Sequence, residues 1–161
     1  MNFCPQCGTK LVRKQLNDNE KMMCPACNFI DWDTWMNVSV AIVAYNQNAE
    51  FAMVRMKSQQ AGTLTFPQGY RELGETLDEA AKREYKEETG YDIENLHLTT
   101  IYTSDAQRLV WVAYKAQLGA GEFIPNEETS EFLFFSKASP PPLDNLRGHL
   151  TRRLLEEIME E

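Results

Sequence analysis

The chain has 161 residues, of which 43% are hydrophobic and 25% are charged, and its formal net charge is −8. This length is typical of one domain with a small appendage, and the composition excludes collagen-like, coiled-coil and wholly disordered chains. So acidic a surface would repel a phosphate backbone, which argues against a nucleic-acid partner. No apolar run approaches the ~20 residues of a membrane helix, and the first residues show no secretory signal. We therefore expect a cytoplasmic protein without membrane contact.

The first predicted element is a zinc site built from four cysteines. They form two CxxC pairs, Cys4 with Cys7 and Cys24 with Cys27, and sixteen residues separate the pairs. Two tight turns of this kind can direct four thiolates at one ion, and the spacing is typical of structural Zn²⁺. Two disulfides are disfavoured in a reducing cytoplasm, and a redox pair would not need duplication. We predict a zinc ribbon over residues 1–33, which the metal stabilises because the segment is too short to bury a sufficient core.

Residues 34–161 are predicted to form one layered domain. Apolar or alternating segments predict strands at 38–45, 50–56, 93–104, 109–117 and 131–136. The stretch 62–70 is a loop or short strand, and 118–121 is predicted to be a turn because it contains two glycines. Capping residues and amphipathic patterns predict helices at 77–89 and 146–161. These elements favour an α+β or α/β domain with a mixed sheet and helices packed on it.

The helix at 77–89 carries an unusual set of carboxylates. On a helical wheel Glu84 and Glu88 lie on the apolar face, and Glu87 lies at its edge. Burying carboxylates without a cation is costly, and ligands that are all oxygen favour a hard ion such as Mg²⁺ or Mn²⁺. The alternative is an exposed helix that is merely rich in glutamate. The wheel alone leaves both interpretations open.

The spacing of residues 69–91 resembles the Nudix box, GX5EX7REUXEEXGU, in which U is a bulky aliphatic residue. The fixed positions are occupied by Gly69, Glu75, Arg83, Glu84, Glu87, Glu88 and Gly90. Tyr85 and Tyr91 depart from the pattern at the two U positions, where we expect altered packing. The resemblance implies an α/β/α sandwich and an enzyme that cleaves a nucleoside diphosphate linked to another moiety, by attack of water on phosphorus.

The resemblance also implies a role for each matched residue. The glutamates that bind divalent cations in the family correspond here to Glu84, Glu87 and Glu88. The family's arginine and its earlier glutamate pair to hold the loop against the helix, which implies a pair of Arg83 with Glu75. The carbonyl of the first glycine often faces a metal, and here that glycine is Gly69.

The order of zinc ribbon and box resembles the NADH pyrophosphatase branch of the family. The C-terminal part also resembles it, at residues 128–131, 134–135, 140–142 and 152–156. In that branch a glutamate ahead of the last strand contacts metal, and our first choice is Glu128 and our second is Glu131, with a solvated loop as the alternative. The branch carries a Ser-Gln-Pro-Trp-Pro-Phe-Pro segment, whereas residues 102–109 contain neither Pro nor Trp. A strong preference for NADH is therefore not expected.

Three aromatic residues are candidates for stacking on a base: Phe66, Tyr70 and Tyr102. Aromatic side chains near strands are also common in cores. His97 and His149 have no partners at ligand spacing, so we expect them to be surface or packing residues.

The predicted function is metal-dependent hydrolysis of the pyrophosphate bond in a small nucleotide of the ADP-ribose, FAD or NADH type, releasing AMP. One alternative is a module with a degenerate Nudix fold that senses a nucleotide or docks on a protein, but the intact glutamates argue against it. A second alternative is hydrolysis of nucleoside triphosphates, including oxidised ones, since the box is shared. A homodimer is also left open by the sequence.

Overall fold

The computed structural model describes residues 1–57 and 62–160. The chain divides into two compact units, Met1–Met36 and Asn37–Glu161. Among the described residues, neither helix has the length and apolar character that crossing a membrane requires.

The first unit contains a three-stranded antiparallel sheet in the order β1-β2-β3. Its strands are β1 (Val12–Leu16), β2 (Asn19–Met23) and β3 (Ile30–Asp31). Only Cys4, Leu11 and Cys24 form its buried apolar cluster, with Met22 and Phe29 packed against it. This apolar cluster is small and contains two of the four cysteines, so apolar burial contributes little to the stability of the unit.

The second unit is built on a mixed seven-stranded sheet. Its strands are β4 (Asn37–Tyr45), β5 (Phe51–Met56), β6 (Leu64–Thr65), β7 (Gln68–Tyr70), β8 (Tyr91–Ser104), β9 (Leu109–Gly121) and β10 (Thr129–Phe135). The main path runs β10-β5-β4-β9-β8, while β6 pairs with β5 and β7 pairs with β4. The β4–β9 pair is parallel and the other pairs are antiparallel.

One helix packs on each face of this sheet. The α-helices are α1 (Leu77–Thr89) and α2 (Gly148–Glu160), and a 3-10 turn at Leu143–Asn145 precedes α2. The side chains of β4 alternate between the two faces. Ala41 and Val43 belong to the core under α2, whereas Val40 and Ile42 belong to the core under α1. The predicted α/β/α sandwich with a mixed sheet is therefore confirmed.

The segment 118–121 is part of β9, so the predicted turn is wrong. Tyr91 pairs with Gly121, and the backbone of Asp92 passes close to Gly119. A Cβ at Gly119 would lie 3.0 Å from the Asp92 carbonyl oxygen, and a Cβ at Gly121 would overlap the backbone of β8. The two glycines allow close approach of the strands rather than a reversal of the chain.

Candidate active site

Capping residues in the sequence set both ends of helix α1. Thr76 is the N-cap and accepts a hydrogen bond from the backbone N–H of Glu79, whose carboxylate accepts one from the N–H of Thr76 at 2.7 Å. Gly90 ends the helix in the left-handed conformation, with φ 78°, and its N–H donates to the Lys86 carbonyl. Such an N-cap contributes about 1 kcal/mol to helix stability. It also fixes where the helix begins, and therefore on which turns the glutamates lie.

Arg83 lies at the centre of the site's hydrogen bonds. Its Nε and Nη2 donate to the two carboxylate oxygens of Glu75 at 3.0 and 2.7 Å, and Nη2 also donates to the Tyr70 carbonyl at 3.0 Å. Its Nη1 donates to Glu84 at 2.9 Å and to Glu87 at 3.1 Å. The two bonds from Arg83, with a third from the Glu72 N–H, hold the pKa of Glu75 at about 2. The arginine therefore ties the loop after β7 to α1.

Glu88 is the buried carboxylate of the site, with 8% of its surface exposed. Its Oε2 accepts a hydrogen bond from the backbone N–H of Gln68 at 3.2 Å. The pKa of Glu88 is raised to about 8, mainly by burial and also by the nearby charges of Glu84 and Glu128, although the hydrogen bond from the Gln68 N–H and the charge of Arg147 act in the opposite direction. Burial also raises the pKa of Glu84, against the pull of Arg83. A cation beside Glu88 would stabilise its charged form.

Gly69 has no room for a side chain. A Cβ at this position would overlap the carboxyl group of Glu84, so that carboxyl lies directly against the β7 backbone. The Gly69 carbonyl accepts a hydrogen bond from the Ser39 hydroxyl at 2.8 Å. Ser39 lies inside β4, and nothing in the local sequence distinguishes it from other polar residues of a strand.

The glutamates of α1 are not gathered as a closed ligand set. Within the described ranges, the cysteine cluster is the only group of three or more Cys, His, Asp or Glu residues with ligand atoms within 4.8 Å of one another. Glu84 and Glu87 each bind Arg83 instead. The donor chemistry still fits a hard divalent cation, because the carboxyl group of Glu84 lies against Gly69 and that of Glu88 is buried beside the N–H of Gln68. Binding such an ion requires Glu84 or Glu87 to turn from Arg83.

The loop before β10 is fixed to the end of α1. The Thr129 hydroxyl donates to the Glu88 carbonyl at 3.1 Å, and the Asn126 amide donates to the Glu87 carbonyl at 3.2 Å. The Asn126 Oδ1 accepts from the N–H of Glu128 at 2.8 Å. These bonds bring Glu128 near enough to raise the pKa of Glu88. Sequence reasoning missed Asn126, which is 39 residues from its partner Glu87.

Glu131, the second choice for the additional metal contact, is differently placed. Its carboxylate accepts a hydrogen bond from Arg55 Nε at 2.8 Å, across the β10–β5 pair. The charge of Glu128, by contrast, is one of those that raise the pKa of Glu88.

A cleft of about 510 Å³ adjoins this site. Its lining comprises Ser39, Gln68, Gly69, Tyr70, Gln107, Leu109, Trp111 and the residues from Arg147 to Thr151. This volume lies within the range of ~300–1,000 Å³ typical of small-molecule sites. His149 therefore lies at the cleft, which its sequence context did not indicate, while His97 is an exposed residue of β8.

The candidate stacking residues have different environments. Tyr70 is 60% exposed and lines the cleft, so its ring is available to a ligand. Phe66 is fully buried, with its ring centroid 6.0 Å from that of Phe51. Stacking a base on Phe66 would require opening the core, so the buried position of this ring argues against the predicted binding role. Tyr102 is also a core residue and packs against Trp111.

The second candidate metal centre is formed by the side chains of Cys4, Cys7, Cys24 and Cys27. Two of the sulfur–sulfur distances are 3.5 Å. These distances exceed the ~2.05 Å of a disulfide and approach the ~3.8 Å that tetrahedral Zn–S bonds of ~2.3 Å give. Gly8 and Asn28 follow the two pairs with φ of 71° and 61°, and each N–H donates back to the first cysteine of its pair.

Comparison with known proteins decides the family. Residues 35–156 match the NUDIX domain. The chain belongs to the NUDIX domain family. The predicted resemblance is thereby confirmed for most of the chain.

Relatives and solved structures agree with this membership. The NAD-capped RNA hydrolase NudC of Vibrio vulnificus (strain CMCP6) is 29% identical over 161 residues, which are 99% of this chain and 59% of that protein. The protein of the same name from Pseudomonas aeruginosa (strain LESB58) is 26% identical over 96% of this chain and 54% of its own. The Nudix chain thus spans little more than half the length of these relatives. The NUDIX hydrolase from Nitrosomonas europaea superposes with a TM-score of 0.84 at 25% identity, covering 100% of this chain and 92% of that one.

Proposed function

We propose that this Nudix chain hydrolyses the pyrophosphate bond of a nucleoside diphosphate linked to a second moiety, and that it releases AMP from ADP-linked substrates. The observation that carries the proposal is the buried carboxylate of Glu88, which accepts a hydrogen bond from the N–H of Gln68, a residue that lines a cleft of nucleotide size. Family membership and the hydrolase names of the relatives also support it.

We assign the divalent cations, Mg²⁺ or Mn²⁺, to the carboxylates of Glu84, Glu87 and Glu88 and to the carbonyl of Gly69. When bound, such cations neutralise the pyrophosphate and lower the pKa of a coordinated water. Glu88 supplies a negative charge that burial shields from water. The cation would stabilise this charge in place of water. The bidentate pair with Glu75 keeps Arg83 in place when Glu84 and Glu87 turn toward the metal.

In the proposed reaction, water attacks one phosphorus and the bridging P–O bond breaks. The attacking water loses a proton to a carboxylate, and the other phosphate leaves with the bridging oxygen. Glu128 is the group that we assign to an additional metal or water contact. It extends from a loop that Asn126 and Thr129 attach to the end of α1. The loop bonds hold its backbone in position before substrate arrives, which lowers the entropic cost of reaching the reactive geometry.

For the N-terminal unit we propose one structural Zn²⁺ held by the four cysteines. All four coordination positions would be protein ligands, which leaves no position for water or substrate. The zinc therefore stabilises the ribbon and takes no part in hydrolysis.

The expected substrate range follows from the turn between β8 and β9. This turn replaces the proline-rich segment of the NADH pyrophosphatase branch, and its residue Gln107 lines the cleft together with Leu109, the first residue of β9. Without prolines the turn holds the distal half of a dinucleotide less firmly. We therefore propose that ADP-ribose or FAD is cleaved at least as well as NADH.

A substrate panel under one metal condition tests this function. The measurement is kcat/KM for NADH, ADP-ribose, FAD, nucleoside triphosphates and an NAD-capped RNA, with Mg²⁺ and then Mn²⁺. We expect AMP from the ADP-linked small molecules and slower turnover of the capped RNA, which the acidic surface repels. A more than ~10²-fold preference for NADH would refute the proposed range. Exclusive cleavage of triphosphates would favour the second alternative, and binding without turnover would favour the sensing module.

A further inference from the structure

The cleft joins the glutamate site to the beginning of α2. Gln68 and Gly69, which contact Glu88 and Glu84, line one part of it. Arg147 and His149 line another part. A diphosphate that lies beside the glutamates therefore shares its cavity with these C-terminal side chains.

Arg147 is the one permanently charged side chain among the residues that line this cleft. Its Nη1 lies 3.9 Å from the sulfur of Met56, and within the described part of the chain no carboxylate forms an ion pair with it. Arg83, by contrast, donates to four residues. Because a guanidinium has five N–H donors, most of those on Arg147 are available to a ligand.

The backbone of Arg147 is attached to the chain that leads into β7. The Arg147 N–H donates to the Leu64 carbonyl at 2.8 Å. Four residues later, the Thr151 hydroxyl lies 3.1 Å from that of Thr65, and both side chains are buried. The Gln68 amide in turn donates to the Thr65 hydroxyl at 3.3 Å. These bonds join the backbone that carries Arg147 to the strand that carries Gln68, so both line the same cleft.

We propose that Arg147 binds the second phosphate of the substrate, across the P–O–P bond from the phosphate held at the glutamates of α1. This inference rests on the proposed function and deepens it. A guanidinium matches phosphate with two parallel N–H···O bonds, and the partly buried cleft strengthens the interaction. The electrostatic effect of Arg147 extends as far as Glu88, so an anion near Glu88 also lies within its field. The preferred substrates then carry a phosphate on each half, which excludes simple phosphate monoesters.

The test is calorimetric binding of α,β-methylene-ADP, which carries two phosphates and resists cleavage, to the full chain in Mg²⁺. We expect Arg147→Gln to weaken binding at least tenfold and Arg147→Lys to have an intermediate effect, because lysine keeps the charge but loses the paired geometry. Arg152→Gln is the matched control, since Arg152 lies five residues after Arg147 in the first half of α2, is exposed and donates to the Leu143 carbonyl. It should change the affinity less than twofold.

A second readout separates binding from a structural role. In Arg147→Ala, added guanidinium ion at concentrations well below those that unfold the protein should restore part of kcat/KM for ADP-ribose, and in Arg152→Ala it should not. Equal affinities of Arg147→Gln and the unaltered chain, equal losses in both arginine variants, or absence of binding by the unaltered chain would each overturn the inference. If binding follows the expected pattern but no substrate is cleaved, the proposed function fails while the phosphate contact stands.

Discussion

Without Mg²⁺ or Mn²⁺, we expect the stability of the unaltered chain to depend on pH through Glu88. The Glu88→Gln variant should lack this dependence. Burial raises the pKa of Glu88 from its usual 4.5 to about 8 in the folded state. Since the folded state then binds this proton more tightly than the unfolded state, folding is favoured at low pH. The free energy of unfolding should fall as the pH rises from about 4.5 to about 8. Between pH 4.5 and pH 7 the free energy of unfolding falls by about 1.36 kcal/mol per pH unit. At pH 7 the protein is therefore about 3 kcal/mol less stable than at pH 4.5.

Urea unfolding at pH 5, 6, 7 and 8 measures this loss as the difference between the unaltered chain and Glu88→Gln. Adding Mg²⁺ should stabilise the unaltered chain more at pH 8 than at pH 5, because the ion favours ionised Glu88, and should have little effect on the variant. Glu87→Gln is the matched control, since the Glu87 side chain is 61% exposed. Identical pH profiles for the unaltered chain and Glu88→Gln would refute the assignment of a buried, destabilised carboxylate.

Four further outcomes are expected. In saturating Mg²⁺, Glu88→Gln should lower the rate at least ~10²-fold, about 2.7 kcal/mol of barrier, and unchanged turnover would remove Glu88 from the metal site. Gly69→Ala should displace the flexible Glu84 carboxyl and lower kcat at least ~10-fold, about 1.4 kcal/mol, while the melting temperature stays nearly constant. Asn126→Ala should release the loop that carries Glu128, costing about 1–2 kcal/mol of stability, and Asn126→Asp should recover part of the activity because it keeps the Oδ1 acceptor. Elemental analysis should find near one zinc per chain, and Cys24→Ser should release it and loosen the N-terminal unit while residues 37–161 stay folded; a native fold without zinc would contradict this.

Local sequence was sufficient for α1, whose bounds at 77–89 match the prediction. Its limits are set by side chains of neighbouring residues, a capping box at one end and a left-handed glycine at the other. The short strands β6 and β7 could not be delimited in the same way. Each exists because it pairs with a longer strand, β6 with the preceding β5 and β7 with the more distant β4.

The contrast between local and long-range contacts also explains which site residues the sequence could predict. The spacing of the box indicated the glutamates, because residues on successive turns of one helix share a face. The contacts of Asn126 and Arg147 cross long sequence separations, so no local pattern predicts them. The sequence could not separate a core position from a binding position for Phe66, because an aromatic residue beside a strand has the same sequence context in both. Only packing against Phe51 distinguishes the two.

In the proposed reaction, water attacks a phosphorus of an ADP-linked diphosphate. Incubating the protein with ADP-ribose and Mg²⁺ in ¹⁸O-labelled water, and measuring the masses of the products by mass spectrometry, tests this step. We predict AMP and ribose phosphate in equal amounts, with a single ¹⁸O atom on one of the two phosphates and none in the Glu88→Gln sample. Intact ADP-ribose, inorganic phosphate as the main product, or unlabelled AMP and ribose phosphate would contradict the account.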